Sequence, residues 1–454
     1  MKNYKEKGIN LTTGPLGRQI LFFSIPLIFS NLLQVLFNMA DIAVVGQFAG
    51  ERALGSVGST TILVTLFTSF LIGLSGGVNV LVAMNIGAEN PEEVKETVHT
   101  ALIVCFCTGI IIMLFGVTFS RIILKIMNTK AELLDGAVTY LKIYFLGMPA
   151  LAVYNYGNAV LSAAGDTRKP LIYLSVAGAA NIALNLFFVT VLKMSVAGVA
   201  VASVISQYIS AFLILRALFM SSEIYGLKLS ELRPSRDKVK NILKLGLPSG
   251  AQNAVFQFAN LFVQAGVNSF DAIVVEGNAA ATNADAPVYD VMSAFYVACS
   301  TFMGQNYGAR IRKRVRDSYF ISLAYSFGTG MILGLGILYA GPEFLSLFTK
   351  NPDVVNAGMT RLGIMGVCYG FSAFMDCTIA ASRGLGKTVI PTIIVIMGSC
   401  VFRVIWIYTV FAHFKTIESL YLLYIFSWGI TATAEVIYYI HVYKRAMNGL
   451  QQTA

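Results

Sequence analysis

Polar positions are sparse along this chain and punctuate about twelve long apolar stretches, near 16–46, 55–85, 97–120, 134–161, 170–192, 196–219, 240–268, 277–306, 316–341, 357–382, 390–413 and 418–442. At a rise of about 1.5 Å per residue, such stretches suit a bilayer core roughly 30 Å thick. Where no water reaches the backbone, each N–H and C=O must be satisfied within its own segment, so the stretches are expected as helices. They run too long and too uniformly apolar for the alternating strands of a barrel. The pattern predicts an all-α polytopic membrane protein with 12 transmembrane helices.

Composition strengthens this reading. Of 454 residues, 56% are hydrophobic and 12% charged, about half the charge density of soluble domains. The first apolar run is too long for a cleavable signal peptide, so the tail MKNYKEKGIN is expected to stay attached. Basic residues then set orientation. The tail (Lys2, Lys5, Lys7, Arg18), the even-numbered connections and the C-terminus (Lys444, Arg445) hold 22 of the 33 Lys and Arg, against about seven in the odd connections. Both termini are therefore expected in the cytoplasm, in a multi-pass protein of the cell (inner) membrane, with the acidic loop GAENPEEVKET as a local exception. Basic loops facing anionic headgroups account for the formal charge of +10, and "ARIRKRVR" reads as a topology signal instead of a nucleic-acid site. All six cysteines fall within predicted spans and suggest no disulfide framework or zinc site.

The two halves repeat. Pro26, Asn31, Asn38 and Gly55 match Pro248, Asn253, Asn260 and Gly277 at an offset of 222, and Gly87 and Gly165 match Gly308 and Gly386 at 221. Six helices per half give both halves the same topology, related by a pseudo-twofold axis along the membrane normal. The expected organisation is an N-terminal lobe (1–219, helices 1–6), a cytoplasmic linker (220–241) and a C-terminal lobe (242–454, helices 7–12). Duplicated halves that rock about a central site are the architecture of alternating-access transport. A nucleotide-driven mechanism is not supported by "GLGKT" (384–388), because the required earlier glycine is Ala381 and no strand precedes it.

Candidate chemistry lies in polar stripes. The run from Leu21 to Val45 contains one charge, Asp41. At about 100° per residue, Asn31, Gln34, Asn38 and Asp41 fall within roughly 80° of one another. The seventh helix repeats the stripe with amides alone: Asn253, Gln257, Asn260, Gln264 and Asn268. The eighth carries Asn278, Thr282, Asp285, Tyr289 and Tyr296, the tenth Tyr369, Ser372 and Asp376, the fifth Asn181 and Asn185, and the fourth Asn155. Buried amides either line a cavity or pin helices together at about 0.6 kcal/mol per bond. A carboxylate at the bilayer centre costs at least roughly 2.5 kcal/mol and usually marks an ion or proton pathway, so Asp41, Asp285 and Asp376 are the stronger functional candidates. Arg403 and Glu435 are expected to pair with each other or with helix ends, and Lys142 and Arg361 to snorkel to the interface. The three histidines, near span ends, suggest no metal site. Pro26 and Pro248 each remove a helical hydrogen bond and are candidate hinges.

At "NLLQVLFNMADIAVVGQFAG", "AAGDTRKPL", "NIALNLFFV", "VAGVAVASVISQ", "FMGQNYGA" and "SRGLGKTVIP", the chain resembles the multidrug and toxic compound extrusion (MATE) family, bacterial type, over about 12–450. The resemblance implies two six-helix lobes around a central cavity. It also implies an antiporter, not an enzyme, that exports organic cations and drugs against inward H+ or Na+ flow. No cofactor beyond the coupling ion is implied. The resemblance makes Asp41 the central coupling residue and supports Asp285 and Asp376; with Asn38, Asn181 and Asn185 from the polar stripes they form the expected coupling set. The substrate cavity is Gln34, Asn155, Asn253, Gln257, Asn260, Tyr289 and Tyr369, with Na+ near Asp41 or Asp376 as the one metal possibility. Partners are cationic or amphipathic small molecules and membrane lipids, without nucleic acid, and the chain is expected as a monomer. Two departures matter. The NorM-like branch has an acid in helix seven, where this chain has only amides, and the DinF-like branch has a second acid in helix five, where Asn185 stands here. A flippase for a lipid-linked oligosaccharide precursor is the alternative, and the internal repeat disfavours a channel.

Overall fold

The computed structural model describes residues 10–452, so the expected basic tail at Lys2, Lys5 and Lys7 lies outside the described residues. The order of long helices is α1 Leu16–Ala49, α2 Glu51–Gly87, α3 Pro91–Ile126, α4 in two pieces (Ala131–Phe145 and Met148–Ala163), α5 Arg168–Val191 and α6 Ser195–Phe219. The second half follows as α7 Arg236–Val267, α8 Ala272–Gly308, α9 Arg312–Tyr339, α10 Pro352–Gly384, α11 Val389–Phe414 and α12 Ile417–Gln452. Among the described residues, nine helices, or ten counting the bent α4, are long and apolar enough to cross a membrane. The other two, α7 and α8, carry the amide and acid stripes and are correspondingly polar.

Local chemistry starts and stops these helices. Asn90 accepts from the Glu93 N–H ahead of Pro91, and Asn351 from the Asp353 N–H ahead of Pro352. A proline at the first helical turn lacks only an N–H that would have no intrahelical partner there. In α4, Pro149 follows a break at which the two pieces bend by 47°. At the position of α10 matching Pro149 (149 + 221 = 370) stands Gly370, which keeps its N–H, and α10 is continuous.

The repeat is written into the backbone. Left-handed residues recur in pairs: Glu89 and Arg310 (310 − 89 = 221), Gly165 and Gly386 (386 − 165 = 221), Lys193 and Lys415 (415 − 193 = 222). Gly165 ends α4 with its N–H on Ser162 O (2.9 Å) and the Asp166 N–H on Leu161 O (2.9 Å), and Gly386 ends α10 with the same pair of bonds to Arg383 (2.7 Å) and Ser382 (3.0 Å). This is a helix-terminating Schellman turn. The Leu385, Gly386 and Lys387 amides of "GLGKT" are thus committed to their own helix, not arranged around a phosphate.

The chain divides into two compact units whose boundaries differ from 219 and 242. One comprises Phe29–Gly250, and the other Leu11–Ile28 with Ala251 onward. Each boundary falls two residues after a hinge candidate, Pro26 (28 − 26) and Pro248 (250 − 248). The physical reason is close docking of each helix start. In the first unit, Gly73 and Gly77 of α2 admit the start of α7 so closely that a Cβ on Gly73 would lie 2.5 Å from Ser249 O, and one on Gly77 2.5 Å from Gly246 N. The connection before α7 is pinned to the same unit: the Lys228 N–H donates to buried His99 Nε2 (3.0 Å) and the Ser235 N–H to Thr100 Oγ1 (3.2 Å). In the second unit, the Arg314 guanidinium donates to Leu11 O (2.9 Å), Gly14 O (2.8 Å) and Gln19 Oε1 (3.1 Å), and Phe23 meets Phe302 edge-on at 5.4 Å.

Both units pack in the same order, with α4 against α2, α3 and α6, and α10 against α8, α9 and α12. Between α9 and α10, a Cβ on Gly334 would stand 2.0 Å from Gly366 O, the small-residue packing expected where lipid gives no hydrophobic drive between helices. Gly334→Ala is therefore expected to lower the thermal unfolding midpoint of purified protein, by overpacking of about 1–3 kcal/mol. Gly336→Ala, which meets nothing within 4 Å, serves as the control. Equal midpoints for the two variants would refute this packing account.

Candidate functional site

The first unit builds its site around Asp41, on α1 one residue-turn before a π-helical stretch, Val45–Ala49. Asn185, fully buried on α5, stands two residues before a second π-helical stretch, Phe187–Val191. Such widened turns are frequent at functional sites. Asn185 Nδ2 donates both to Asp41 Oδ1 and to Asn181 Oδ1 (3.2 Å), and Ser203 Oγ of α6 approaches Asp41 Oδ2 at 3.4 Å. Asn185 Oδ1 is buried without a hydrogen-bond partner. Tyr140 and Tyr144 of α4, stacked at 5.7 Å, lie within electrostatic reach of the carboxylate. The donors that hold Asp41 are thus neutral, and no ion pair is formed by it among the described residues.

Three of the six expected coupling residues, Asp41, Asn181 and Asn185, therefore meet. Asn38 and Gln34 stay exposed on α1. Ser203 was not singled out from sequence. Its only signal is a place in the small-residue run VAGVAVASVISQ, one turn before Gln207. Asn155 Nδ2 donates to Leu151 O of its own helix (2.9 Å).

In the second unit, Asp285 and Asp376 stand apart. Asp285 forms a buried ion pair with Arg361 (3.0 Å), which also donates to Asn278 Oδ1 (3.2 Å), and Asn278 Oδ1 accepts from the Tyr421 hydroxyl (2.9 Å). Tyr369, buried at 5% exposure, lies within electrostatic reach of Asp285 as well. Arg361 is thus no snorkelling side chain: its guanidinium lies inward, over the Tyr421 and Tyr424 rings at 5.7 Å each. Asp376 sits 15 residues beyond Arg361 (376 − 361), about 22 Å along α10.

Around Asp376 lie Arg383, Arg403 and Glu435. Arg403 and Glu435 do not pair with each other. Arg403 is fully buried, donates to Asn260 Oδ1 (3.0 Å), and stands 4.7 Å from both the Phe256 and Tyr424 ring centroids, while neither Glu435 oxygen has a hydrogen-bond partner. Of the expected cavity residues here, Asn260 is committed to Arg403, Asn253 and Gln257 are half-buried on α7, and Tyr289 is exposed beside Tyr296 (6.2 Å between rings). Among the described residues, no three His, Cys, Asp or Glu converge on a metal site.

Comparison with known proteins decides the family. The MatE family profile matches twice, over residues 26–187 and 248–409, repeating at 222 (248 − 26). The chain belongs to the MatE family. It is 27% identical over 365 residues to "Probable multidrug resistance protein YpnP" of Bacillus subtilis (strain 168), covering 80% of this chain and 82% of that protein. It is 26% identical over 390 residues to "Probable multidrug resistance protein NorM" of Thermotoga maritima, covering 83% and 82%. A crystal structure of MATE in complex with MaL6 shares the fold at TM-score 0.90, with 22% identity over 98% of this chain and 99% of that one. This MatE chain is thus a polytopic membrane transporter of the multidrug efflux family, with the 12-helix fold.

The Asp285–Arg361 pair generates a test. Removing one partner of a buried ion pair costs about 3–5 kcal/mol, whereas replacing both with apolar residues is often neutral. Arg361→Met alone is expected to lower the yield and thermal midpoint of folded protein sharply, and Asp285→Leu with Arg361→Met to recover most of both. A single variant as stable as the wild type would remove the clamp from this account.

Proposed function

We propose that the chain exports organic cations and cationic drugs across the cell membrane by alternating access, exchanging them for protons or sodium ions bound at Asp41. The observation that carries the proposal is a carboxylate held, among the described residues, by the neutral donors Asn185 and Ser203. With no cation bonded to it, Asp41 changes the net charge of its surroundings each time it binds or releases a proton or metal cation. Where one negative charge serves both, a coupling cation and a cationic substrate compete, which is the requirement for antiport. The site's chemistry fits either ion. Asp41 and the carboxamide oxygens of Asn181 and Asn185, one of them unpartnered, form an all-oxygen donor set of the kind hard cations take. The names of the relatives, multidrug resistance proteins, support the substrate class.

Within the first unit, Gln34 and Asn38, exposed on the Asp41 helix, are assigned to substrate contact; within the second, Gln257, Asn253 and Tyr289 are. Asp285 is assigned to stability. Bending near Pro26, where α1 passes from one unit to the other, is the proposed means of converting the charge change into motion. No observation in either unit favours the flippase alternative. The count of basic residues in the connections supports a cytoplasmic location for both termini.

Two measurements test this. Asp41→Asn keeps size and most hydrogen bonding, so the purified variant should still bind a fluorescent cation, though more weakly for want of the charge, and lose the dependence of that binding on pH or sodium. Dependence equal to wild type would sink the assignment. For orientation, a cysteine introduced between α7 and α8 (268–271) should react with a membrane-impermeant thiol reagent from outside intact cells, and one at 310–311 should not. The reverse pattern would invert the topology.

A further inference from the structure

Glu435 stands near the middle of α12, 18 residues from its start (435 − 417). It is fully buried, it is the one buried glutamate among the described residues, and neither carboxyl oxygen has a hydrogen-bond partner. An ionised carboxylate removed from water and given no hydrogen bond is costly enough that such groups neutralise instead. The groups facing it make this specific. Arg383 and Asp376 of α10 are within electrostatic reach, as is Tyr438 of α12 itself, and Arg403 of α11 acts on Asp376. From α7 comes the amide of Gln252, which is not titratable.

Arg383 is the natural counter-ion, but it is engaged elsewhere. Its Nη2 donates to Gln252 Oε1 at 2.9 Å, an oxygen that Thr392 Oγ1 also approaches at 3.3 Å, and its Nε is buried without a partner. Asp376, half-buried, has one oxygen (Oδ2) buried and unpartnered. Two carboxyl groups and one guanidinium thus share a water-poor space with hydrogen-bonding capacity unused on each.

We propose that Glu435 is a proton-binding site of the C-terminal unit, occupied while Arg383 is held by Gln252 and emptied when Arg383 turns to the Glu435 carboxylate. On release, the Glu435 O–H bond breaks and an O–H bond forms on the Asp376 carboxylate, directly or through an intervening water. The guanidinium then compensates the charge left on Glu435. The nearby Arg383 guanidinium favours a proton over a metal cation here, in contrast to the neutral donors at Asp41. Gln252 lies four residues after Pro248 (252 − 248), so the proton state of Glu435 is tied to the helix that carries the second hinge candidate. The assignment as a proton site does not depend on Asp41; its use in transport rests on the coupling reading above.

Infrared spectroscopy of the purified full-length protein in lipid, with carbon-13 in its glutamate side chains, tests the assignment without any transport assay. At about pH 7 exposed glutamates are ionised, so a protonated-carboxyl band that moves with the glutamate label reports Glu435. The wild type is expected to show one such band, shifting further on exchange into heavy water, and Glu435→Gln to lack it. A wild type with no glutamic-acid band at this pH, or one whose band never exchanges, overturns the proposal. That measurement stands even if the variant fails to fold. If the band is present but Asp41→Asn leaves ion-dependent binding unchanged, the coupling reading fails and the Glu435 site remains.

Discussion

A bilayer interior offers no water to a carboxylate, so each acid carried into it must be paired, hydrogen-bonded or protonated. The membrane-embedded acids of this chain meet that constraint in three ways. Asp285 is neutralised by Arg361 within a shell of Asn278, Tyr369 and Tyr421, an arrangement that holds one charge state and pins α8 to α10. Asp41 is held by neutral donors from α5 and α6, which stabilise a negative charge without cancelling it. Glu435 has no donor at all. Of these three, the last two can change charge without breaking an ion pair, and they lie in different units.

The same constraint shapes the backbone. Helices are closed by side-chain caps and Schellman turns, and those turns recur at a fixed offset in the two halves. Duplication therefore accounts for the scaffold but not for the chemistry laid on it. The position matching Asn185 at an offset of 222 is Ile407 (407 − 185), and that matching Asp41 is Val263, so the second unit cannot reproduce the first unit's site. There the carboxyl groups that cluster, Asp376 and Glu435, sit on α10 and α12 instead.

Hydropathy alone made twelve helices legible, and spaced prolines and glycines made the repeat legible. Both are one-dimensional signals that physics converts directly into structure. The helical stripe placed Asp41 on a polar face, and the resemblance linked it to Asn185. Ser203 was missed because a serine among alanines and valines carries no periodic signal. Arg361 and Asp285 were read separately because 76 residues part them in sequence. Glu435 and Arg403 were wrongly matched, since opposite charges on neighbouring helices say nothing of height or rotation. The unit boundaries at Pro26 and Pro248 were hidden for a related reason: which partner the start of a helix docks on depends on glycine gaps such as Gly73 and Gly77, visible only after folding.

The central claim is that the charge on Asp41 couples an ion gradient to efflux. Liposomes containing the purified protein, loaded with a cationic dye and subjected separately to an imposed proton gradient and an imposed sodium gradient, test it most directly. The account predicts uphill dye movement under at least one gradient for the wild type and none under either for Asp41→Asn. Undiminished uphill movement by the Asn variant would contradict it.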